Sequence, residues 1–467
     1  MIKNQQINNK SSCHSRVGGN LNRQFKNLPA CAGMTALIML SACSYMPSWM
    51  GGSDAEKPKL AGERYLALSV ESKIKPDDSL KNSPPKLPAV FANLNWAQNA
   101  GKLGANSGNL AGGNFANKTS ATAGDGVGFS YPIAPQPVVF DGLVFVMDAA
   151  GNISAHDASD ISKIRWQAGT IADSDGKDII GGGLAVDGGV LYASTGIGTV
   201  GAFEATTGKE IWTKKFGIPM RAAPRASGDI VLLVTMDSQT YGLSAKTGEV
   251  LWSHRGINET TEVMNNVSPT ITDGVALVPY SSGELFALTL SDGKEIWSET
   301  LLKSKNTEAY GVFSGIGGDP IIDGSVVFAT SNNGGTAAID AGGQPLWQQP
   351  SGSLNSPWLA GDELFLLTTD NTLVDMVKYT GKIRWATQLE SFKNPEKKLR
   401  PISWRGPVLT AGRLLVISSN GKALLIDANT GKISGEIFVP DDIISAPVIA
   451  GGKLYLLGKD AEIYSFE

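Results

Sequence analysis

Cysteine is confined to one end of this sequence. The three cysteines, Cys13, Cys31 and Cys43, all lie within the first 43 residues. The rest of the chain can therefore form no disulfide, hold no metal through thiolates and offer no cysteine nucleophile.

Histidine and charge are also scarce. The three histidines share no metal-ligand spacing, and neither an HExxH motif nor a Ser-His-Asp order occurs. Charged residues make up 18% of the chain, and the formal net charge is −4. That balance gives no electrostatic reason to expect nucleic acid. Amphipathic helical segments between the apolar runs are missing as well, which argues against a parallel α/β fold.

One short pattern recurs through the last two-thirds of the chain. In its clearest copy, Leu191 to Trp212, an apolar strand leads to a small-residue turn, a second strand, a TGK-type turn and a strand that ends in Trp. Similar copies begin at Leu232, Leu277 and Phe365. A period of about 38–50 residues built only from strands and turns is typical of a β-propeller. The sequence therefore predicts an all-β fold with four-stranded antiparallel blades.

Two series of residues give the number of blades. An Asp-Gly pair or a relative, which suits a tight hairpin, occurs eight times between Asp141-Gly142 and Gly451-Gly452. The closing tryptophans are Trp166, Trp212, Trp252, Trp297, Trp347 and Trp385. Their fixed offset from each turn favours packing between blades over an aromatic ligand cage. These series predict eight blades.

The last blade is one strand short. A seventh TGK-type turn is followed by Gly435 instead of Trp, and the chain ends at Glu467 after the third strand of the next repeat. An open edge would invite aggregation, so a strand from elsewhere is expected to close the ring. Val90–Trp96 is the predicted strand, with Trp96 as its closing tryptophan.

The N-terminus has the order of a secretory signal. Basic residues precede the apolar run Met34–Leu40, and Leu40-Ser41-Ala42-Cys43 has the form of a lipobox. We expect residues 1–42 to be a lipoprotein signal peptide, with a translated repeat element inserted at 12–35, and Cys43 to be the lipid attachment site. Residues 43–88 have the composition of a flexible tether, and 89–467 form the propeller. The alternative is a buried segment with an incidental cysteine.

Two motifs suggest ligands but lack the required context. Gly196 to Gly201 matches GxGxxG, yet the sequence continues as a strand where a dinucleotide site needs a helix. Asp173 to Asp178 resembles a calcium loop, but glycine falls at position 4 and Leu184 at position 12. We interpret them as a hairpin turn and an inter-blade loop, and predict no cofactor and no metal.

The pattern A-x-[DE]-x-x-[TS]-G-x-x-x-W, seen at Ala202–Trp212, resembles the PQQ-like repeat of quinoprotein dehydrogenases. Together with the lipobox, the tether and eight blades, it resembles the BamB family, lipoprotein subunits of the machine that folds β-barrels into the outer membrane. The resemblance covers residues 36–467. It implies a non-enzymatic scaffold that is lipid-anchored at the periplasmic face of the outer membrane. The implied partners are the POTRA domains of a BamA-like subunit and nascent outer-membrane proteins.

Two alternatives stay open. A PQQ-dependent dehydrogenase shares the repeat, but those enzymes carry a vicinal cysteine pair that this chain cannot supply. A ligand-binding or polysaccharide-binding propeller is also compatible, because one fold hosts many functions.

Three connections are candidates for binding a partner. Gly256–Val267 and Lys303–Gly318 are long and mix apolar with polar residues, which suits an interface. The candidate contact residues are Glu262, Val263, Met264, Asn265, Tyr310 and Phe313. The alternative is that their apolar residues plug the central channel. The connection Glu390–Arg405 is basic, and could face lipid or an acidic partner, or be a solvated loop.

Overall fold

The computed structural model describes residues 74–98, 107–126, 135–169, 181–220, 222–258, 267–301 and 315–467. Nearly all regular structure in these ranges is β-strand. The helical content of these ranges is a short 3-10 turn at Asp78–Leu80, capped by the Asp77 side chain. No helix in the described ranges is long and apolar enough to cross a membrane.

Three short strands come before the repeats: β1 (Val90–Phe91), β2 (Asn109–Leu110) and β3 (Lys118–Thr122). Sheets 1 to 4 follow in chain order. Sheet 1 is β4 (Val138–Phe140), β5 (Leu143–Met147), β6 (Ile153–Asp157) and β7 (Asp160–Ala168), and sheet 2 is β8 (Gly182–Asp187), β9 (Val190–Thr195), β10 (Thr199–Glu204) and β11 (Glu210–Lys215). Sheet 3 is β12 (Arg225–Ser227), β13 (Ile230–Val234), β14 (Gln239–Ser244) and β15 (Val250–Arg255), and sheet 4 is β16 (Thr270–Thr272), β17 (Val275–Pro279), β18 (Glu284–Thr289) and β19 (Glu295–Thr300).

Sheets 5 to 8 complete the chain. Sheet 5 is β20 (Ile321–Asp323), β21 (Val326–Ser331), β22 (Gly335–Asp340) and β23 (Pro345–Gln349), and sheet 6 is β24 (Trp358–Ala360), β25 (Glu363–Leu367), β26 (Thr372–Val377) and β27 (Ile383–Gln388). A separate hairpin, β28 (Phe392–Asn394) and β29 (Leu399–Pro401), leads to sheet 7, which is β30 (Trp404–Thr410), β31 (Arg413–Ser418), β32 (Lys422–Asp427) and β33 (Ile433–Phe438). Sheet 8 is β34 (Val448–Ala450), β35 (Lys453–Leu457) and β36 (Glu462–Phe466), with β3 as its fourth strand.

Each set of four strands is an antiparallel meander in chain order, apart from the position of β3. Sheet 7 has two further strands, because β1 pairs parallel with β2 and β2 pairs parallel with β30. The first two strands of each repeat meet in a turn that contains a left-handed residue, as at Asp273 (φ 43°) and Gly274 (φ 79°). Glycine and aspartate tolerate this conformation, which explains the Asp-Gly series. The first strands of neighbouring sheets approach one another, since Thr270 donates to the Pro320 oxygen at 2.6 Å. We call the first strand inner and the fourth strand outer.

The apolar core lies between the sheets. One cluster joins Phe145 of sheet 1 to Leu191 of sheet 2, and similar clusters join sheets 2 and 3, 3 and 4, 4 and 5, and 5 and 6. A larger cluster joins sheets 6, 7, 8 and 1. Second and third strands are buried on both faces, as in β13 and β25, because a sheet covers each side. The apolar runs of the sequence are therefore buried on both faces of their sheets.

The fourth strand of sheet 8 comes from a different segment than the sequence predicted. β3 pairs antiparallel with β36, from Lys118 opposite Phe466 to Thr122 opposite Glu462. The prediction that Val90–Trp96 forms this strand was wrong. Trp96 is 2% exposed, and its backbone pairs instead with Val139 of β4. β3 has the sequence KTSAT and is mostly exposed, so no large apolar or aromatic residue marks it.

Residues 86–98, which we call the crossing segment, pass over the inner strands of several sheets. From Asn93 onward, this segment contacts sheets 8, 1, 2 and 3 in turn. Asn93 Nδ2 donates to the Ile449 oxygen of sheet 8 at 2.9 Å, and Trp96 N donates to the Val139 oxygen of sheet 1 at 2.6 Å. Val186 N of sheet 2 donates to the Ala97 oxygen at 2.7 Å, and Gln98 Nε2 donates to the Ala226 oxygen of sheet 3 at 2.9 Å. One short peptide thus ties together sheets from both ends of the chain.

The contacts with the sheets begin before the crossing segment. Asp77 N donates to the Ile383 oxygen at 2.8 Å, and Lys382 Nζ lies 3.1 Å from Asp77 Oδ2. Residues 74–83, at the end of the predicted tether, therefore lie along the outer strand of sheet 6.

Candidate functional site

The closing tryptophans form one repeated contact between sheets. The indole of Trp212 donates to the Ala245 oxygen of sheet 3 at 2.9 Å. Its ring covers Gly248, where an added Cβ would lie 2.6 Å from the ring. The same ring-on-glycine contact joins Trp166 to Gly208, Trp252 to Gly293, Trp297 to Gly343, Trp347 to Gly381, and Trp385 to Gly431. Each tryptophan therefore seals its sheet against the glycine turn of the next sheet.

Trp96 belongs to a different environment. Its ring stacks on Trp358 of the inner strand β24, with centroids 6.2 Å apart and planes 17° apart. Trp358 in turn donates to the Gly108 oxygen at 2.8 Å. Trp96 is therefore a residue of the inner face and has no role as a closing tryptophan.

The candidate partner-binding residues lie outside the described ranges. Glu262, Val263, Met264 and Asn265 fall within 259–266, and Tyr310 and Phe313 fall within 302–314. Cys43 and the calcium-like stretch at 173–178 are also outside the described residues. The ends of the two partner loops are described, and they show how sheets 3 to 5 hold them.

Buried polar contacts connect the base of the first loop to the base of the second. Ser268 N donates to Asp319 Oδ1 at 2.7 Å, and the Arg225 guanidinium lies 3.5 Å from Asp319 Oδ2. Arg225 Nε also donates to the Pro269 oxygen at 2.8 Å. Burial lowers the pKa of Arg225, while the Asp319 carboxylate opposes that shift. Because breaking a buried, hydrogen-bonded pair is costly, this network fixes the two loop ends relative to one another.

Apolar contacts add to this base. Val267, Leu301 and Ile316 are buried in the cluster that joins sheets 4 and 5. Ile257 N, at the start of the first loop, donates to Glu284 Oε2 at 3.0 Å. Both loops thus leave a rigid platform, the arrangement in which binding residues are commonly displayed.

Sequence reasoning missed the pair Arg225 and Asp319. Arg225 follows Pro224 and Asp319 precedes Pro320, and both lie at the start of an inner strand. The available signal was an arginine at the start of an inner strand, where other repeats have apolar or hydroxyl-bearing residues. The partner lies two repeats further along the chain, so sequence spacing does not reveal the pair.

A second buried group of charges lies in sheet 6. The Arg384 guanidinium lies 2.8 Å from Glu363 Oε1 and 3.4 Å from Asp375 Oδ2. Burial raises the pKa of Asp375 to about 9, and the neighbouring Glu363 adds to the shift. Arg384 also donates to the Ser83 oxygen, so the group holds the N-terminal segment to this sheet.

A serine-histidine pair is present but is fully enclosed. Ser154 Oγ lies 3.0 Å from His156 Nε2, and His156 Nδ1 lies 2.7 Å from the Ile161 oxygen. Both side chains are buried, and Ser154 Oγ also donates to the Ala123 oxygen. Burial lowers the pKa of His156. The pair is sealed from substrate, and its contact is with the chain that follows β3.

The GxGxxG motif forms a hairpin turn. Gly198 has φ 84°, and β10 begins at Thr199 where a dinucleotide site would need a helix. The interpretation as a hairpin is confirmed. In the described ranges, no three His, Cys, Asp or Glu side chains lie close enough together to hold a metal ion.

A cleft of about 440 Å³ lies between sheet 6 and the β28–β29 hairpin. Thr368 and Asn371 line one side, and Phe392 and Trp404 line the other. Its one carboxylate, Asp370, accepts a hydrogen bond from Thr368. The cleft offers hydroxyl and amide groups beside aromatic rings, but it does not pair a nucleophile with a general base.

Similarity to known proteins follows the repeats. The family model described as outer membrane protein assembly factor BamB matches residues 149–387. The BamB of Yersinia pestis is 23% identical over 354 residues, which cover 74% of this chain and 87% of that protein.

Solved structures support the same fold. The crystal structure of BamB from Moraxella catarrhalis has a TM-score of 0.62 at 19% identity, covering 75% of this chain and all of that chain. A europium-containing methanol dehydrogenase has a TM-score of 0.57 at 15% identity, covering 81% of this chain and 90% of that one. Structural likeness at these identities shows a shared β-propeller architecture, which enzymes also use. The family match extends over half of the sequence, and this chain belongs to the family of the outer membrane protein assembly factor BamB.

Proposed function

We propose that this chain is a non-catalytic scaffold subunit of the machinery that assembles outer-membrane proteins. Membership of the BamB family carries this proposal. The buried Arg225–Asp319 network supports it, because it holds the described ends of two neighbouring loops together. A scaffold needs a rigid display surface and no reacting groups.

In this proposal the eight sheets are the blades of one closed ring. Sheet 8 touches sheet 1, where the Tyr455 hydroxyl donates to the Ala158 oxygen at 3.2 Å. β3 covers the edge of β36 that would otherwise be open. A ring without a free end resists deformation when a partner binds its loops.

The proposed partner is a BamA-like subunit, bound through its periplasmic POTRA domains. The loops 256–267 and 303–318 supply the contact, with Val263, Met264 and Phe313 as apolar anchors. Buried apolar anchors with a polar surround are the usual composition of an interface core. Nascent outer-membrane proteins could pair with exposed outer-strand edges by β-augmentation.

The proposed location is the periplasmic face of the outer membrane, with lipid on Cys43. Two or more acyl chains anchor a protein stably, where a single chain gives reversible binding. A Cys43→Ser variant should appear as soluble or unprocessed protein in fractionated cells. Identical fractionation of both proteins, without acyl mass on the mature N-terminus, would contradict the anchor.

The partner contact can be tested by affinity purification from detergent-solubilised envelopes followed by mass spectrometry. The wild-type chain should capture the BamA-like subunit, and the pair Val263→Glu, Met264→Glu should reduce its recovery about tenfold or more, as expected for loss of interface anchors. Phe438→Ser is the matched control, because Phe438 is 81% exposed on sheet 7. Equal recovery with both variants would show that the first loop is not the contact.

The dehydrogenase alternative has its own test. Purified protein mixed with PQQ and calcium should bind no stoichiometric cofactor and give no dye-linked oxidation of alcohols or sugars. Tight binding with turnover would replace the scaffold proposal.

A further inference from the structure

The hairpin β28–β29 projects a cluster of cations from the connection between sheets 6 and 7. Residues 393–401 are all exposed. They contain Lys393, Lys397, Lys398 and Arg400 against a single carboxylate, Glu396, so this hairpin carries a net charge of +3 within a chain of net charge −4. The local charge is therefore opposite in sign to that of the whole chain.

The base of the hairpin is firmly held. Ile402 N donates to the Ser391 oxygen at 2.9 Å, and the Trp404 indole donates to the Glu390 oxygen at 2.8 Å. Asn371 Nδ2 of sheet 6 donates to the Ile402 oxygen at 3.0 Å. The cations thus stand on a fixed support, and their positions are set by the fold.

These cations differ from the lysines of the repeat turns. Lys163, Lys209, Lys246 and Lys294 each lie within 4 Å of a carboxylate of their own turn or sheet. Among the described residues, none of the four hairpin cations forms an ion pair. Their charge is therefore available to an external anion.

An exposed apolar residue lies between two of these cations in the sequence. Leu399 is 55% exposed, and its two neighbours, Lys398 and Arg400, have φ angles of 51° and 57°. Left-handed backbone on both sides of Leu399 is unusual for residues that carry side chains. An exposed leucine flanked by cations suits the boundary of a bilayer, where cations meet headgroups and an apolar side chain enters the acyl region.

We propose that the β28–β29 hairpin binds the surface of an anionic phospholipid bilayer. Unpaired cations would bind without first breaking ion pairs within the protein. Leu399 favours a bilayer over an acidic polypeptide, because charge pairing alone has no use for an exposed leucine. Between Cys43 and residue 74 lie 30 residues, which extended span at most about 100 Å, so the proposed anchor permits this contact. The hairpin proposal stands independently of that anchor and of the partner loops.

The test is flotation of the full chain carrying Cys43→Ser, so that no acyl group contributes. Vesicles of phosphatidylcholine with one part in three phosphatidylglycerol should carry the protein, and vesicles of phosphatidylcholine alone should not. Replacing Lys393, Lys397, Lys398 and Arg400 by Gln should lower partitioning about fivefold for each charge removed. Leu399→Ser should lower it several-fold without altering the dependence on salt.

The matched control replaces Lys163, Lys209, Lys246 and Lys294 by Gln, which changes the net charge equally at exposed sites that already have carboxylate partners. It should float like the parent protein, and thermal unfolding should show that both variants fold. Equal losses in the two variants would attribute binding to overall charge and overturn the proposal. Failure of the parent to float, with hairpin-dependent retention on immobilised polyglutamate, would overturn it in favour of an acidic polypeptide.

Discussion

Six of the junctions between neighbouring sheets are sealed by a tryptophan on a glycine, whereas the two junctions beside sheet 8 lack both the closing tryptophan and the glycine that would receive it. The six run in order from sheets 1 and 2 to sheets 6 and 7. Around the other two, N-terminal residues join the apolar cluster of sheets 6, 7, 8 and 1, with Phe115 fully buried and Leu110 2% exposed. The same kind of junction is thus stabilised within the repeat in one part of the molecule and by an outside segment in the other.

Gly435 shows why the two arrangements exclude each other. A closing tryptophan needs a glycine turn between the third and fourth strands of the following sheet. Sheet 8 has no such turn, because its fourth strand, β3, arrives from the N-terminal side. A tryptophan at 435 would have no glycine to cover. Its absence follows from how the last sheet is built.

The largest expected effect comes from removing the outside segment. Deleting residues 107–126, which include β2, Phe115 and β3, should lower the stability by more than about 5 kcal/mol or prevent folding, since it exposes the edge of β36 and opens two junctions. Deleting 46–73 should be nearly neutral. Thermal unfolding of both deletions is the measurement. Equal melting temperatures would mean that the junctions beside sheet 8 need no outside segment.

Trp96→Ala should have the next largest effect. Its ring is 2% exposed against Trp358, so truncation should cost about 3–5 kcal/mol. Trp212→Ala, at a repeat-type junction, provides the comparison. Denaturant unfolding measures both free energies. A cost below about 1 kcal/mol for Trp96→Ala would show that the inner face is not stabilised by this stacked pair.

A substitution at a receiving glycine should destabilise by a smaller amount. Gly248→Ala places a side chain at φ 69° and a Cβ 2.6 Å from the Trp212 ring, which together should cost about 2–4 kcal/mol. Gly435→Ala is the matched control, because the nearest atom to its added Cβ is 3.5 Å away. Chemical denaturation should separate the two. Similar values would argue against a special role for the receiving glycine.

The smallest effect per step, measured as a change in stability per pH unit, is expected from the buried carboxylate of sheet 6, where a repeat-type junction meets the N-terminal segment. Burial raises the pKa of Asp375 from its ordinary value of 3.8 to about 9. The folded protein therefore holds a proton that the unfolded chain releases. Stability from this group is complete below pH 4 and is lost as the pH rises towards 9. The slope is at most about 1.4 kcal/mol per pH unit.

Asp375→Asn should remove this slope, because the amide stays neutral. Unfolding free energies of the variant and the parent should be similar near pH 4 and diverge with rising pH, with the variant more stable. Asp362→Asn, at an exposed turn, is the control. Parallel curves for Asp375→Asn and the parent would show that Asp375 is ionised in the folded protein.

The repeats could be predicted from the sequence because their signals lie within short stretches of chain. Each Asp-Gly turn sets a left-handed backbone by itself, and each closing tryptophan stands at a fixed distance from its own turn. The receiving glycine was visible too, in every TGK-type turn, although only the structure shows that it accepts the tryptophan of the preceding sheet. Local patterns therefore predicted the sheets and their order.

The pairing of the N-terminal segment could not be predicted, because it joins residues that are far apart in the sequence. Trp96 seemed the natural closing residue because six of the other copies end in tryptophan. The strand that pairs with β36 is Lys118–Thr122, which is mostly exposed and whose one apolar residue, Ala121, makes no alternating pattern. The Arg225–Asp319 pair was missed likewise, since its members are 94 residues apart.

The sequence by itself determined the strands, the turns and the order of the sheets, since these depend on backbone conformation and on residues within one repeat. Tertiary structure alone decided which segment completes sheet 8, where the crossing segment lies and which buried charges meet. Those contacts join residues that are distant along the chain, and their energy depends on shape and burial that exist only once the sheets have packed.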